Sequence, residues 1–478
     1  MAEKESDYLL VAAIDFGTTY SGYAFSMRDT YKTDPLKIHA NQAWNAGGRQ
    51  LLSLKTPTCL LLNSNKDLDS FGYEAENKYA EMNVKCDMAL EDITGKPVPA
   101  IDVFALSIKA LVKHLMDSLE TRGTGVKTND IQWAGIEKDH LLISLEPEAA
   151  SIYCQHLPTE KLNGAESGFT MSKIGTKYMI VDLGGGTVDI TVHEKMAGGG
   201  LKETSRPTGG DCGGTSVDAE FIQLLAKIFG APLIHTMKRE QPEAYLDLIR
   251  EFETVKRTIT PSKQGKVNMA IPYTTIDALC KKHLKEDLST ALLASPYANS
   301  ISIRGDKMRF DADLLKNIFN KTIKNILALL QEIFTRKESE SVKLILLVGG
   351  FAECSIVQSE IRKTVLHRRV IVPEESGLTV LKGAVLFGHN SNAIDSRKIR
   401  VTYGISHDPQ FDPKHHDQQH FVEENGKKRY EDGCTLLGGA KIKISDPSEI
   451  QDLEVEFMFG KTEMSLIARE KNQETLAN

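Results

Sequence analysis

The sequence predicts an α/β protein of two lobes around a cleft, and three glycine-bearing turns carry that prediction. Val11 to Gly22 reads VAAIDFGTTYSG, an apolar run that ends in Asp15 and breaks into Gly17, Thr18 and Thr19. Tyr178 to Val192 reads YMIVDLGGGTVDITV: Asp182 ends the first run, Gly184, Gly185, Gly186 and Thr187 follow, and alternation resumes at Asp189. Lys343 to Phe351 reads KLILLVGGF, a buried strand stopped by Gly349 and Gly350 before a helix carrying Ile356, Val357 and Ile361. Alternation on both sides of a glycine-rich tip is the pattern of a β-hairpin. Two hairpins with matching Asp and Thr positions form a weak internal repeat about one lobe apart.

The bulk properties agree with two lobes. Single cores stop growing at about 250–300 residues, and this chain has 478, with 41% hydrophobic content and a net charge of −7. Mild acidity with interspersed charges argues against a general nucleic-acid or membrane-surface binder. No apolar stretch reaches the roughly 20 residues that span a bilayer, and the opening MAEKESDYLL lacks a signal-peptide pattern. The seven cysteines are odd in number, scattered and free of CxxC pairs. They fit reduced thiols, so a cytoplasmic location is expected.

The two hairpin tips suit a phosphate. Glycines let backbone N–H groups turn toward an anion with no Cβ in the way, and Thr18, Thr19 and Thr187 add hydroxyl donors. Asp15 and Asp182 would repel phosphate directly, so they imply a bridging Mg²⁺ held through its waters. Neither tip fits GxxxxGK[ST] or a strand–GxGxxG–helix turn. At Gly349-Gly350 the strand–glycine–helix junction lets a flat group lie against bare backbone. Further along, Pro242 to about Thr260 reads as a helix with a buried stripe of Tyr245, Leu248, Ile249, Phe252, Val255 and Ile259. Glu253, Lys256, Arg257 and Thr260 form a polar face beside it, either a solvated face with an ordinary Glu–Lys pair or part of a site.

Three glycine turns in this order resemble the ATPase fold shared by actin, sugar kinases and the 70-kDa heat-shock proteins, with two ribonuclease-H-like lobes around a nucleotide cleft. IDFGTTYSG, LEPEAASIY, VDLGGGTVDI, GGTSVDAEF, FETVKRTIT and LLVGGFAE resemble the heat-shock 70-kDa family. GGTSVDAEF, LLVGGFAE and GLTVLKGAVLFG resemble its divergent member-12 branch. The resemblance implies that ATP or ADP binds with Mg²⁺ at Asp15 and Asp182. It assigns Gly17, Thr18, Thr19 and Tyr20 to the first phosphate loop and Gly184 to Thr187 to the second. Glu146 matches a catalytic-site glutamate and Asp189 a further carboxylate, while Glu253, Lys256, Arg257 and Thr260 match the positions that grip adenosine.

The chain also departs from the family. After Ile131-Gln132-Trp133, on the order of twenty residues, one strand and its helix, are missing, which leaves apolar edges of the first lobe uncovered. Between Ala80 and about Ala100 no lysine matches the family's catalytic lysine, and neither Lys85 nor Lys96 has its flanking pattern. Glu353 stands where the chaperones carry an arginine that stacks on the base, and Gly377 replaces an aspartate. Beyond Gly388 fewer than a hundred residues remain, too few for the family's β-sandwich and helical lid, so peptide clamping is not expected. There, Leu453 to Arg469 alternates as a hairpin across Gly460-Lys461.

These readings set the expected organisation: a shortened first lobe over 1–165, a second lobe over 166–390 and a β-rich appendage over 391–478. The leading expectation is an ATP-binding, weakly hydrolysing protein whose lobe closure is read by a protein partner. The runner-up is a nucleotide sensor or scaffold without turnover, and the third a small-molecule kinase on the same fold. Arg304-Gly305-Asp306 reads as a hairpin turn, HHDQQH at 415–420 as a polar loop, and Gly198-Gly199-Gly200 as a flexible loop.

Overall fold

Two sheets organise the first 396 residues, and each contains one of the glycine-tipped hairpins. The computed structural model describes residues 8–41, 44–45, 52–63, 65–82, 100–122, 141–166, 169 and 171–398, and the strands 421–424, 427–430, 453–458 and 465–470. Residues 1–396 form one compact unit and 397–478 another. The segments around Trp133, Lys85, Lys96 and HHDQQH lie outside the described residues.

The first sheet is built on β1 (Leu10–Phe16) and β2 (Tyr20–Met27), paired antiparallel from Leu10 opposite Met27 to Phe16 opposite Ser21. Short strands β3 (His39–Ala40) and β4 (Thr56–Pro57) both add to β2. Side chains of β1 alternate as a strand requires. Leu10 and Ile14 join Tyr23 and Phe25 against Leu115, Met116 and Leu119 of helix α2 (Ala100–Thr121), and Val11 and Ala13 turn the other way. Helix α1 (Tyr73–Met82) precedes it. Leu141, Leu142, Ile143 and Leu145 are exposed and belong to no strand among the described residues, just before helix α3 (Glu146–His156).

The second sheet has seven strands. With β5 (Leu162–Asn163), β6 (Lys177–Leu183), β7 (Val188–Lys195), β8 (Leu201–Gly210), β9 (Leu344–Val348), β10 (Arg369–Pro373) and β11 (Ile394–Ser396), its order is β11-β8-β7-β6-β9-β10-β5. The pairs β6–β9 and β9–β10 are parallel, and continuous apolar runs suit strands covered on both faces. Met179, Val181 and Leu183 enter one core with Ile345 and Leu347; Tyr178 and Ile180 enter the other with Leu344, Leu346 and Val348. Helices α4 (Gly214–Phe229) and α5 (Pro242–Thr258) cover the first of these faces through Phe221, Leu225, Leu248 and Phe252. Of the stripe expected here, Leu248, Phe252, Val255 and Ile259 are buried, and Tyr245 and Ile249 are half-buried.

Helix α6 (Thr379–His389) serves both sheets. Leu381 and Val385 pack on Ala13 and Ala24 of the first, whereas Val380, Leu386 and Phe387 join the core under Ile180 and Leu346 of the second. Gly383 allows α6 to approach α3 closely, since a Cβ there would run into the Ala149 carbonyl. A second link lies between α1 and α5, where Arg250 Nη2 meets Glu76 Oε2 at 2.8 Å.

Two local expectations are refined and a third is met. The helix ends at Thr258, two residues short of Thr260, because Pro261 follows and disfavours α backbone at the residue before it. Gly198 to Gly200 form a hydrogen-bonded turn, with Met196 N–H to Gly200 O at 3.0 Å and Gly199 at φ 89°. Arg304-Gly305-Asp306 is the turn of the hairpin Ile301–Arg304 and Lys307–Asp311, with Gly305 at φ 63°. In the second unit Leu453–Met458 pairs antiparallel with Ser465–Glu470, as does Phe421–Glu424 with Lys427–Tyr430.

Candidate functional site

Both hairpin tips open on one cleft of about 440 Å³, lined by Asp15, Gly17 to Tyr20, Lys55, Glu146, Asp182, Gly184 to Thr187, Glu253, Lys256, Arg257, Gly349 and Gly350. The two turns share a geometry. A Cβ on Gly17 would sit 2.5 Å from the Tyr20 carbonyl oxygen, and one on Gly184 would sit 3.0 Å from that of Thr187. Each tip therefore folds its fourth residue's carbonyl over its first glycine, where a Cβ on Gly17 has no room and one on Gly184 would press the Thr187 carbonyl aside. The tips also face each other. Cβ atoms on Gly185 and Gly186 would crowd the hydroxyls of Thr19 and Thr18, the latter at 2.8 Å.

What holds the tips differs. Thr58 clamps the first: its Oγ1 donates to the Gly17 carbonyl at 2.6 Å and lies 2.8 Å from Ser21 Oγ, and its N–H reaches Thr19 O at 2.9 Å. The second rests on the start of α4 through three backbone hydrogen bonds. The Gly213 N–H donates to Gly186 O at 3.0 Å, that of Gly214 to Gly184 O at 3.1 Å, and that of Thr215 to Gly185 O at 2.8 Å. Gly349, at φ 87°, closes the third turn against the second tip, where a Cβ would meet the Leu183 carbonyl at 2.5 Å.

Carboxylates gather at the phosphate end. Asp15 and Asp182 are the penultimate residues of β1 and β6, Asp189 stands opposite Asp182 in the hairpin register, and Glu146 opens α3. Asp189 does not line the cleft itself. Asp182 is 5% exposed and its Oδ2 is buried without a hydrogen-bond partner. Burial, then Glu146, Asp15 and Asp189 against the opposing Lys55, push its pKa up to about 8. Burial and Asp15 likewise raise that of Glu146, with Lys55 opposing. An orphaned, buried carboxylate oxygen beside threonine hydroxyls fits a hydrated divalent cation. Among the described residues no group of three or more His, Cys, Asp or Glu side chains that could hold a metal ion is present.

Lys55 was not among the residues expected here. It lies just before β4, and its Nζ contacts Asp15 Oδ2 directly. Burial alone would lower its pKa, but Asp15, Asp182 and Glu146 outweigh that and raise it.

The other end of the cleft is built on α5. Lys256 Nζ bridges Glu253 at 2.6 Å and Asp218 of α4 at 2.7 Å, and Arg257 Nε meets Glu253 at 2.7 Å. Asp218 is a second residue that sequence reasoning passed over. Tyr20 reaches this end: burial and then Glu253 raise its hydroxyl pKa. Thr260 lies past the helix, hydrogen-bonded to Ser262 at 3.3 Å and outside the cleft lining. Glu353 and Gly377 both line the cleft, and the Gly377 N–H donates to Glu353 Oε1 at 3.4 Å.

Comparison with known proteins adds a family. The sequence model of the Hsp70 protein family matches residues 167–375, a span that takes in the second hairpin and the Gly349-Gly350 turn but starts after the first hairpin. Human heat shock 70 kDa protein 12B is 31% identical over 545 residues, covering 94% of this chain and 79% of the relative. Human heat shock 70 kDa protein 12A is 31% identical over 494 residues, covering 84% and 72%. Chaperone protein DnaK of Endomicrobium trichonymphae is 24% identical over 206 residues, 41% of this chain and 28% of its own. The alignment with 12B is longer than the 478-residue chain, so stretches of that relative have no counterpart here.

Proposed function

The chain belongs to the heat-shock 70-kDa family, on its divergent member-12 branch, and from that premise we propose that it binds ATP with Mg²⁺ in the cleft and hydrolyses it slowly to ADP and phosphate. The observation that carries this reading is the pair of facing tips, each preceded by an aspartate, with the Asp182 Oδ2 buried and unsatisfied. Thr18, Thr19 and Thr187 donate hydroxyls, and the glycine backbones donate N–H groups, to phosphate oxygens. Asp15 and Asp182 hold the cation through its waters. Magnesium, when bound, neutralises charge on the phosphoryl oxygens. Glu146 orients the attacking water, Asp189 stands opposite Asp182 in the hairpin without lining the cleft, and Arg257 with Tyr20 flanks the nucleoside. The two sheets are the two lobes, linked through α6, and their closure on nucleotide is the signal a cytoplasmic protein partner reads.

One observation favours a second reading, a nucleotide sensor without turnover. Burial and the neighbouring Asp15 raise the pKa of Glu146, which works against the ionised form that would orient water. Phosphate release by the purified chain, compared with Asp15→Ala and Asp182→Ala, separates the two. Slow release lost in both variants is the expected result. A melting midpoint raised by Mg·ATP without release would leave the sensor. Neither a raised midpoint nor release would sink both.

A further inference from the structure

The phosphate end of the cleft already holds a cation of its own. Lys55 is fixed there by its backbone, since Thr56 and Pro57 pair with Ser21 and Tyr20 of β2. Its stem crosses β2 at Gly22, where a Cβ would lie 3.2 Å from Lys55 Cγ. Gly22 stands opposite Asp15 in the hairpin register, so the glycine opens the path by which the ammonium reaches the carboxylate. The other cations lining the cleft, Lys256 and Arg257, are engaged by Glu253 and Asp218 at its far end.

The ammonium satisfies Asp15 but not Asp182, whose Oδ2 stays buried and without a partner. A hydrated divalent cation between the two aspartates would meet a like charge already seated on one of them. Such juxtaposed cations repel strongly in a partly dry cleft. We propose that Lys55 and the divalent cation compete for Asp15: the ammonium holds the carboxylate while the cation is absent and leaves it for the phosphate oxygens when cation and nucleotide enter. Lys55 is thus a positioning residue of the site read above, and the proposal rests on that reading. The lysine's four-carbon stem permits the swing with no movement of the backbone.

Mn²⁺ binding to the full chain without nucleotide, followed by electron paramagnetic resonance, tests the exchange. Lys55→Met should tighten Mn²⁺ about tenfold, and Lys55→Arg, which keeps the charge, should leave it near wild type. Binding of ATP in EDTA should weaken about tenfold in Lys55→Met, because the phosphates lose their partner. Mn²⁺ affinity unchanged or weakened in a folded Lys55→Met, while Mg·ATP still raises the melting midpoint of wild type, would overturn the exchange and leave the site intact. No Mn²⁺ binding and no response to Mg·ATP in wild type would overturn both. Should Lys55→Met not fold, acylation of Lys55 in wild type by an N-hydroxysuccinimide ester, read by mass spectrometry, decides it. The yield should rise severalfold with Mn²⁺ alone and fall again with Mg·ATP; no change would refute the exchange.

Discussion

The two glycine-tipped hairpins have the same turn and unequal support. β6 lies between β7 and β9, and Tyr178 to Leu183 are all buried. β1 pairs with β2 alone among the described residues, and of its seven residues only Ala13 is buried. The second tip hangs on three backbone hydrogen bonds from the start of α4, the first on Thr58. A tip's shape is thus written locally, in an aspartate, glycines and threonines, whereas its stiffness comes from strands and helices far away in sequence. The second wall is the fixed one, and the first is held to it mainly through α6.

Removing charge from the fixed wall should have the largest effect. Asp182→Asn is nearly isosteric, and losing a partner of the cation's water shell should weaken Mg·ATP about 10–100-fold, seen as a lost rise in melting midpoint. The same change separates the walls by pH. Asp182 is held at about 8 in the folded chain by burial and its carboxylate neighbours, against about 3.9 when unfolded. Between these values the folded state keeps a proton that the unfolded state has released, so this group's contribution to stability falls as pH rises from about 4 to about 8. Urea midpoints in EDTA at pH 5 and pH 8 should therefore converge in Asp182→Asn relative to wild type. An unaltered pH dependence would mean that Asp182 is ionised in the folded, cation-free chain.

Packing beneath the walls comes next. Ile180, fully buried in β6, should lose about 2–5 kcal/mol on Ile180→Ala. Ile14 in β1 is only partly buried, and Ile14→Ala should cost about 1 kcal/mol. Equal losses in urea unfolding would show that β1 is as well covered as β6, and the contrast between the walls would fail.

Much of this was legible in the sequence because it is local. Alternation around Asp15 and Asp182 places both hairpins, and a 3.6-residue stripe places α5 through Phe252 and Val255. The end of α5 was legible too, in Pro261, although the stripe alone carries the eye on to Thr260. Lys55 and Thr58 were not legible. They belong to a stretch, Leu54 to Cys59, with no motif, and they reach the cleft only because Thr56 and Pro57 pair with β2. Asp218 was hidden likewise: its role as a partner of Lys256 exists only once α4 and α5 lie side by side on the second sheet. Contacts between segments this distant leave no periodic signal, so structure alone reveals them.

The smallest expected effect probes the clamps on the tips themselves. Thr58→Val keeps the N–H bond to Thr19 but deletes the hydroxyl that serves the Gly17 carbonyl and Ser21. That should cost about 1–2 kcal/mol and weaken Mg·ATP a few-fold, because the first phosphate loop loses its side-chain anchor. Thr215→Val is the matched change on the second wall. Its hydroxyl also donates to a tip carbonyl, Gly185 O at 3.0 Å, but its N–H already donates to that same oxygen at 2.8 Å. The carbonyl stays satisfied, so stability should fall by less than about 1 kcal/mol and affinity should hardly move. A larger loss from Thr215→Val than from Thr58→Val, in urea unfolding and in the Mg·ATP midpoint shift, would reverse the assignment of the stiff and the tethered wall.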